Sequence, residues 1–90
     1  MINLFVIMFY DVKENRVVKA LKISRKYLTW IQNSVFEGEI TLGNLSRMKT
    51  ELSKAINSEE DSIIIYTLSN TRYTKREIIG IEKNNTSNII

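Results

Sequence analysis

The sequence predicts an α+β domain in which two helices cover one face of an antiparallel sheet. Two observations carry this. Residues 4–9, 29–40, 62–68 and 76–81 are short runs rich in large or β-branched apolar residues, the pattern of strands. Residues 14–27 and 42–57 instead repeat apolar residues at helical spacing. The order strand, helix, strand or strands, helix, strand, strand is the ferredoxin-like βαββαβ arrangement with an extra C-terminal strand. Ninety residues leave room for one domain, expected over residues 1–81, followed by a polar C-terminal tail over 82–90.

Each element has its own justification. Residues 4–9 (LFVIMF) are continuously apolar rather than alternating, as in a strand covered on both faces. The polar stretch from Asp11 to Asn15 marks its exit. In the first helix Val17, Ala20, Leu21, Ser24 and Leu28 make the buried stripe, and Arg16, Lys19, Lys22, Arg25 and Lys26 occupy the other sides. Residues 29–40 are extended, with Gly38 marking a bend or a division into two short strands. Thr41 is placed to cap the second helix, whose stripe is Leu45, Met48, Leu52, Ala55 and Ile56. Arg47 and Glu51 form an i,i+4 pair on its outside. The acidic run Glu59-Glu60-Asp61 reads as a solvated turn. Residues 62–68 are apolar on both faces, 69–75 read as a polar loop and 76–81 as a final short strand. With helices on one face only, the second face of the strands at 4–9 and 63–66 needs a cover, and a second copy of the chain is the simplest one.

Composition narrows the chemistry. The chain contains neither cysteine nor histidine. Disulfides and thiolate-bound metals are excluded, as are the commonest general base and the commonest transition-metal ligand. Any metal should be a hard cation on oxygen ligands, Mg²⁺ or Mn²⁺. Thirteen Lys+Arg against ten Asp+Glu give a net charge of +3, which suits a polyanionic partner and equally a merely soluble surface. The first apolar run has no basic segment before it, is too short to span a bilayer and ends at Asp11. A cytoplasmic location is the expectation.

Several runs then stand out together. The first strand ends Phe9-Tyr10-Asp11-Val12 and is followed by a basic helix. Later come Gln32-Asn33-Ser34-Val35-Phe36-Glu37-Gly38-Glu39 and Glu59-Glu60-Asp61-Ser62-Ile63-Ile64-Ile65-Tyr66. In combination these resemble the CRISPR-associated Cas two family, from the first residue to about Gly80. The resemblance implies a ferredoxin-like homodimer with sheets packed face to face, whose final strand, residues 76–81, crosses to the partner's sheet. It implies a metal-dependent endonuclease acting on RNA or DNA, and a role in spacer acquisition beside the CRISPR integrase. It aligns Asp11 with the family's metal-binding aspartate, so Asp11 is the candidate catalytic residue and ligand for Mg²⁺ (or Mn²⁺). Two copies of Asp11 meeting near a dimer axis would repel unless a cation lay between them.

The remaining candidates are weighed against plainer roles. Arg16, Lys19, Lys22, Arg25 and Lys26 are candidate nucleic-acid backbone contacts, or the ordinary solvated side of a helix. Tyr10 is expected as a sheet residue. Trp30 and Phe36 could stack on bases but are expected in core or dimer packing. Ser34 has no base to activate it. Three readings follow: a Mg²⁺-dependent phosphodiesterase, a non-catalytic scaffold that positions DNA and docks the integrase, and a related ferredoxin-like toxin ribonuclease, against which the residue 32–39 run argues.

Overall fold

The computed structural model describes residues 3–69 and 72–82. Their order is β1 (Asn3–Asp11), α1 (Glu14–Tyr27), β2 (Thr29–Gln32), β3 (Val35–Thr41), α2 (Leu42–Ala55), β4 (Ser62–Ser69) and β5 (Arg72–Gly80). The strands form one antiparallel sheet in the order β2-β3-β1-β4-β5. The first four make the ferredoxin-like arrangement, and β5 extends it beyond β4. The predicted fold class is therefore the observed one.

Strand alternation divides the sheet into two unlike faces. On the helix side Val6 and Met8 of β1, Phe36 and Ile40 of β3, and Ile63 and Ile65 of β4 are buried. They meet Ala20, Ile23 and Leu28 from the α1 side and Leu45, Met48, Leu52, Ala55 and Ile56 from the α2 side. Ser24 stays within this core because its hydroxyl donates to the Ala20 carbonyl oxygen at 2.8 Å. Phe5, Ile7 and Phe9 belong to the opposite set on β1, and the register places Ile64, Tyr66 and Leu68 of β4 and Ile78 of β5 beside them. Phe5 and Phe9 are exposed, and Phe9 meets the Tyr66 ring edge-on with centroids 5.8 Å apart. The two-faced apolarity seen in the sequence is thus one face of core and one apolar face left to water by a single chain.

Helix α1 spans the expected residues, and Thr41 caps α2 by accepting from the Asn44 N–H at 3.1 Å. Two expectations are corrected. The division of residues 29–40 falls at Asn33-Ser34, not near Gly38. Asn33 takes φ 44°, a left-handed conformation asparagine tolerates, and its carbonyl receives two side-chain donors. Gly38 stays in register opposite Val6, in the middle of a continuous strand. The final strand starts at Arg72 rather than residue 76, so the polar stretch is largely half of a hairpin. Backbone pairing with β4 reaches Arg72, with an irregularity between Thr67 and Leu68. Within the single chain that strand pairs with β4. The expected tail lies, from residue 83, outside the described residues, as do residues 70 and 71.

Gly80 closes β5 where the chain has no room. Its φ is +94°, and a Cβ there would stand 2.2 Å from the Asp61 carbonyl oxygen. That oxygen also accepts the Ile81 N–H at 2.9 Å. Gly80→Ala is expected to lower unfolding free energy by about 2 kcal/mol or more, from the left-handed backbone and the collision together. Urea denaturation checks it, and an unchanged midpoint would contradict it.

Candidate functional site at the end of the central strand

Asp11 is the last residue of β1 and shares the outward-facing set with Phe5, Ile7 and Phe9. It is exposed, and its register partner on β4 is Ser62. The central strand therefore delivers a carboxylate to the rim of the apolar outer face. A single chain builds no metal cage: among the described residues no group of three or more acidic, His or Cys side chains could hold an ion. Asp11 is a hard oxygen donor, the right chemistry for Mg²⁺ or Mn²⁺. Water, substrate phosphate or a second copy would have to supply the remaining ligands of an octahedron.

The loop that follows Asp11 is held from below by Asp61. This carboxylate is fully buried in the loop just before β4. Its Oδ1 accepts the Lys13 backbone N–H at 2.9 Å and Arg16 Nη2 at 3.0 Å. Its Oδ2 accepts Arg16 Nε at 2.5 Å and the Asn57 N–H at 2.8 Å. Glu60 takes a second contact from Arg16 Nη2 at 2.8 Å. The Arg16 guanidinium is the largest cause holding the Asp61 carboxyl far below the usual range. Burial opposes it, and the Asn57 and Lys13 amides reinforce it. The same bonds raise Arg16 above its ordinary value.

This corrects one expectation. The acidic run is not wholly a solvated turn, because Asp61 turns inward and ties the start of α1 to the loop before β4. Arg16 is engaged in that tie. Lys26 is likewise engaged, pairing with Glu51 of α2, whose other oxygen accepts the Tyr27 hydroxyl. Glu51 thus bridges the two helices; Lys26 chiefly lowers its pKa, with Arg47 adding to this from a distance. Lys19, Lys22 and Arg25 keep exposed positions on α1. Glu77, which the sequence did not single out, faces the helices and accepts from Lys49 at 2.8 Å, pinning α2 to β5. Asp61 had one signal in the sequence: it is the acid that directly abuts an apolar strand.

Tyr10 packs against the core from the helix side, and its hydroxyl donates to the Asn33 carbonyl oxygen at 3.0 Å. Burial raises its pKa, and nearby Arg25 pulls the other way. Phe36 is entirely buried, as expected of a core residue, but Trp30 is half exposed.

Fold and site together define a small ferredoxin-like α+β domain with an acidic strand end and a basic helix. Residues 4–76 match the family described as CRISPR associated protein Cas2, and the chain belongs to that family. A relative from Dictyoglomus turgidum named CRISPR-associated endoribonuclease Cas2 is 51% identical, over 97% of this chain and all of that protein. One from Thermodesulfovibrio yellowstonii with the same family name is 49% identical over 96% and 98% of the two chains. A crystal structure of a Cas2 protein aligns with TM-score 0.74 at 34% identity, covering 91% of this chain and 92% of the other. No helix among the described residues is long and apolar enough to cross a membrane.

Proposed function

We propose that the chain works in CRISPR spacer acquisition as a cytoplasmic, two-fold homodimer with Mg²⁺-dependent endoribonuclease activity, beside the CRISPR integrase. The observation that carries this reading is the place of Asp11, on the rim of an apolar face that one chain leaves uncovered. Packing two such faces together covers Phe5, Phe9, Ile64 and Ile78 and draws the two strand ends toward each other. The names of the relatives support nuclease chemistry on RNA. A divalent cation bound there would polarise a phosphate and lower the pKa of a bound water. The protein itself fixes Asp11 through the Asp61 tie and presents Lys19, Lys22 and Arg25 to a phosphate backbone.

One observation favours the scaffold reading, a non-catalytic dimer that positions DNA: each chain offers a single carboxylate at the site. Titrating Mg²⁺ into the purified protein with labelled RNA and duplex DNA separates the two. The nuclease reading expects metal-dependent RNA cleavage, by a species that sediments as a dimer at micromolar concentration. It also expects affinity that falls steeply with salt as counterions are released. Phe9→Glu should shift the protein to monomer and abolish cleavage. A wild-type monomer would contradict the dimer, and binding without cleavage under all metals would leave only the scaffold.

A further inference from the structure

Ser62, the first residue of β4, stands directly across from Asp11 in the antiparallel pairing of β1 with β4. Residues opposed in this way point to the same side of the sheet, with Cβ atoms about 5 Å apart. Asp11 belongs to the outward-facing set of Phe5, Ile7 and Phe9, so Ser62 belongs to it as well, in line with Ile64 and Tyr66. At that spacing a serine hydroxyl can reach an aspartate carboxylate as a hydrogen-bond donor.

Ser62 differs from the rest of its row. Phe5 and Phe9 are exposed and Ile64 and Tyr66 half-buried, whereas Ser62 is only 4% exposed. A hydroxyl taken that far from water is costly unless it has a partner. The sheet itself makes no use of it, because pairing engages the Ser62 backbone, with Asp11 on one side and Gly80 on the other. The position is also rigid. The preceding residue is Asp61, whose carboxylate accepts from Lys13, Arg16 and Asn57. A donor held this firmly can fix the orientation of a neighbouring carboxylate.

We propose that Ser62 is a positioning residue for the metal site: its hydroxyl donates to one oxygen of the Asp11 carboxylate and leaves the other oxygen to a divalent cation. This rests on the metal role of Asp11 proposed above and adds the group that orients it. Asp61 and Ser62 then act on the same segment from opposite faces of the sheet, one through the Lys13 amide and the other through Asp11 itself. Groups that hydrogen-bond a metal-binding side chain set its affinity, and losing one costs about 10-fold or more.

Mn²⁺ measures this without turnover, because its electron paramagnetic resonance signal reports the free ion. Asp11→Asn gives the binding that does not belong to the site. Ser62→Ala and Ser62→Val should each weaken the remaining Mn²⁺ binding about 10-fold. Ser62→Thr, which puts the hydroxyl back on the shape of valine, should bind within about 2-fold of the wild type. In RNA cleavage, Ser62→Val should need about 10-fold more Mg²⁺ for half its maximal rate, whereas Ser62→Thr should not. Circular dichroism and sedimentation of each variant should match the wild type.

Equal Mn²⁺ affinity in the wild type and in Ser62→Val overturns the inference. So does a loss shared equally by Ser62→Val and Ser62→Thr, which would make the position one of packing alone. If Asp11→Asn abolishes binding while Ser62→Val leaves it untouched, the inference falls and the metal role of Asp11 stands. If the wild type binds no more Mn²⁺ than Asp11→Asn does, the metal role itself falls, and the inference with it.

Discussion

Asp11→Asn is expected to abolish metal-dependent RNA cleavage, by on the order of a hundred-fold or more, while leaving the fold and the dimer intact. Asparagine is nearly isosteric with aspartate, and position 11 is an exposed strand end, so packing has no reason to change. What changes is charge: one unit per chain, two per dimer. A neutral amide is a poor ligand for a hard divalent cation, so Mg²⁺ affinity should drop with the rate. Dimerisation should hold or improve, because two carboxylates brought together without a cation repel. The measurements are single-turnover cleavage of labelled RNA, Mg²⁺-dependent thermal shift and sedimentation. Undiminished cleavage by a clean preparation would remove Asp11 from the site. Lost cleavage with intact spacer acquisition would make the nuclease real but secondary to the scaffold role.

The second large effect should come from a residue that touches no substrate. Asp61→Ala is expected to destabilise the domain by about 3 kcal/mol, a large share of the stability of so small a fold. The carboxylate is wholly buried and accepts from Arg16 and from the Lys13 and Asn57 amides. Removing it strands two backbone donors and a guanidinium that the fold has already partly taken out of water. Urea denaturation measures the loss, and a change under about 1 kcal/mol would show that water replaces the carboxylate. The same residue sets an acid limit. Its folded pKa lies below its unfolded one, so its contribution is complete above the ordinary aspartate range. It begins to fade as pH falls through that range near 4, and goes on fading toward the lower folded value. Glu77, lowered chiefly by Lys49, adds loss in the same direction. Asp61→Ala should flatten this acid-side slope, whereas an unchanged slope would assign the acid sensitivity elsewhere. Because Asp61 also fixes the Lys13 amide, two residues beyond Asp11, a folded variant should cleave more slowly as well.

Most of the architecture was legible in the sequence, for a local reason. Apolar periodicity and capping residues act over a few positions. The stripe at Leu45, Met48, Leu52, Ala55 and Ile56, the span of α1 and the Thr41 cap could therefore be read without knowing what they pack against. The unbroken apolarity of residues 4–9 also matches a strand with apolar side chains on both faces, and Asp11 stood out as the charge that ends that run. Where the pattern is silent the reading failed. Residues 72–75 are polar yet extended, because a hairpin holds them through backbone groups, which carry no side-chain signature. Position 33, not 38, turns the chain: Asn33 takes the left-handed conformation, and its carbonyl collects Trp30 from three residues away and Tyr10 from 23 residues away. The deeper gap concerns partners distant in sequence. Asp61 and Arg16 are 45 residues apart, Lys49 and Glu77 are 28 apart. A run of charges reads alike whether it faces water or turns inward. Only the tertiary structure decides which carboxylate becomes a buried strut, which cations remain for a phosphate, and that Trp30 stays at the surface while Phe36 goes to the core. Those outcomes depend on which surfaces the packed helices and the sheet order leave over, and no local stretch of sequence contains that information.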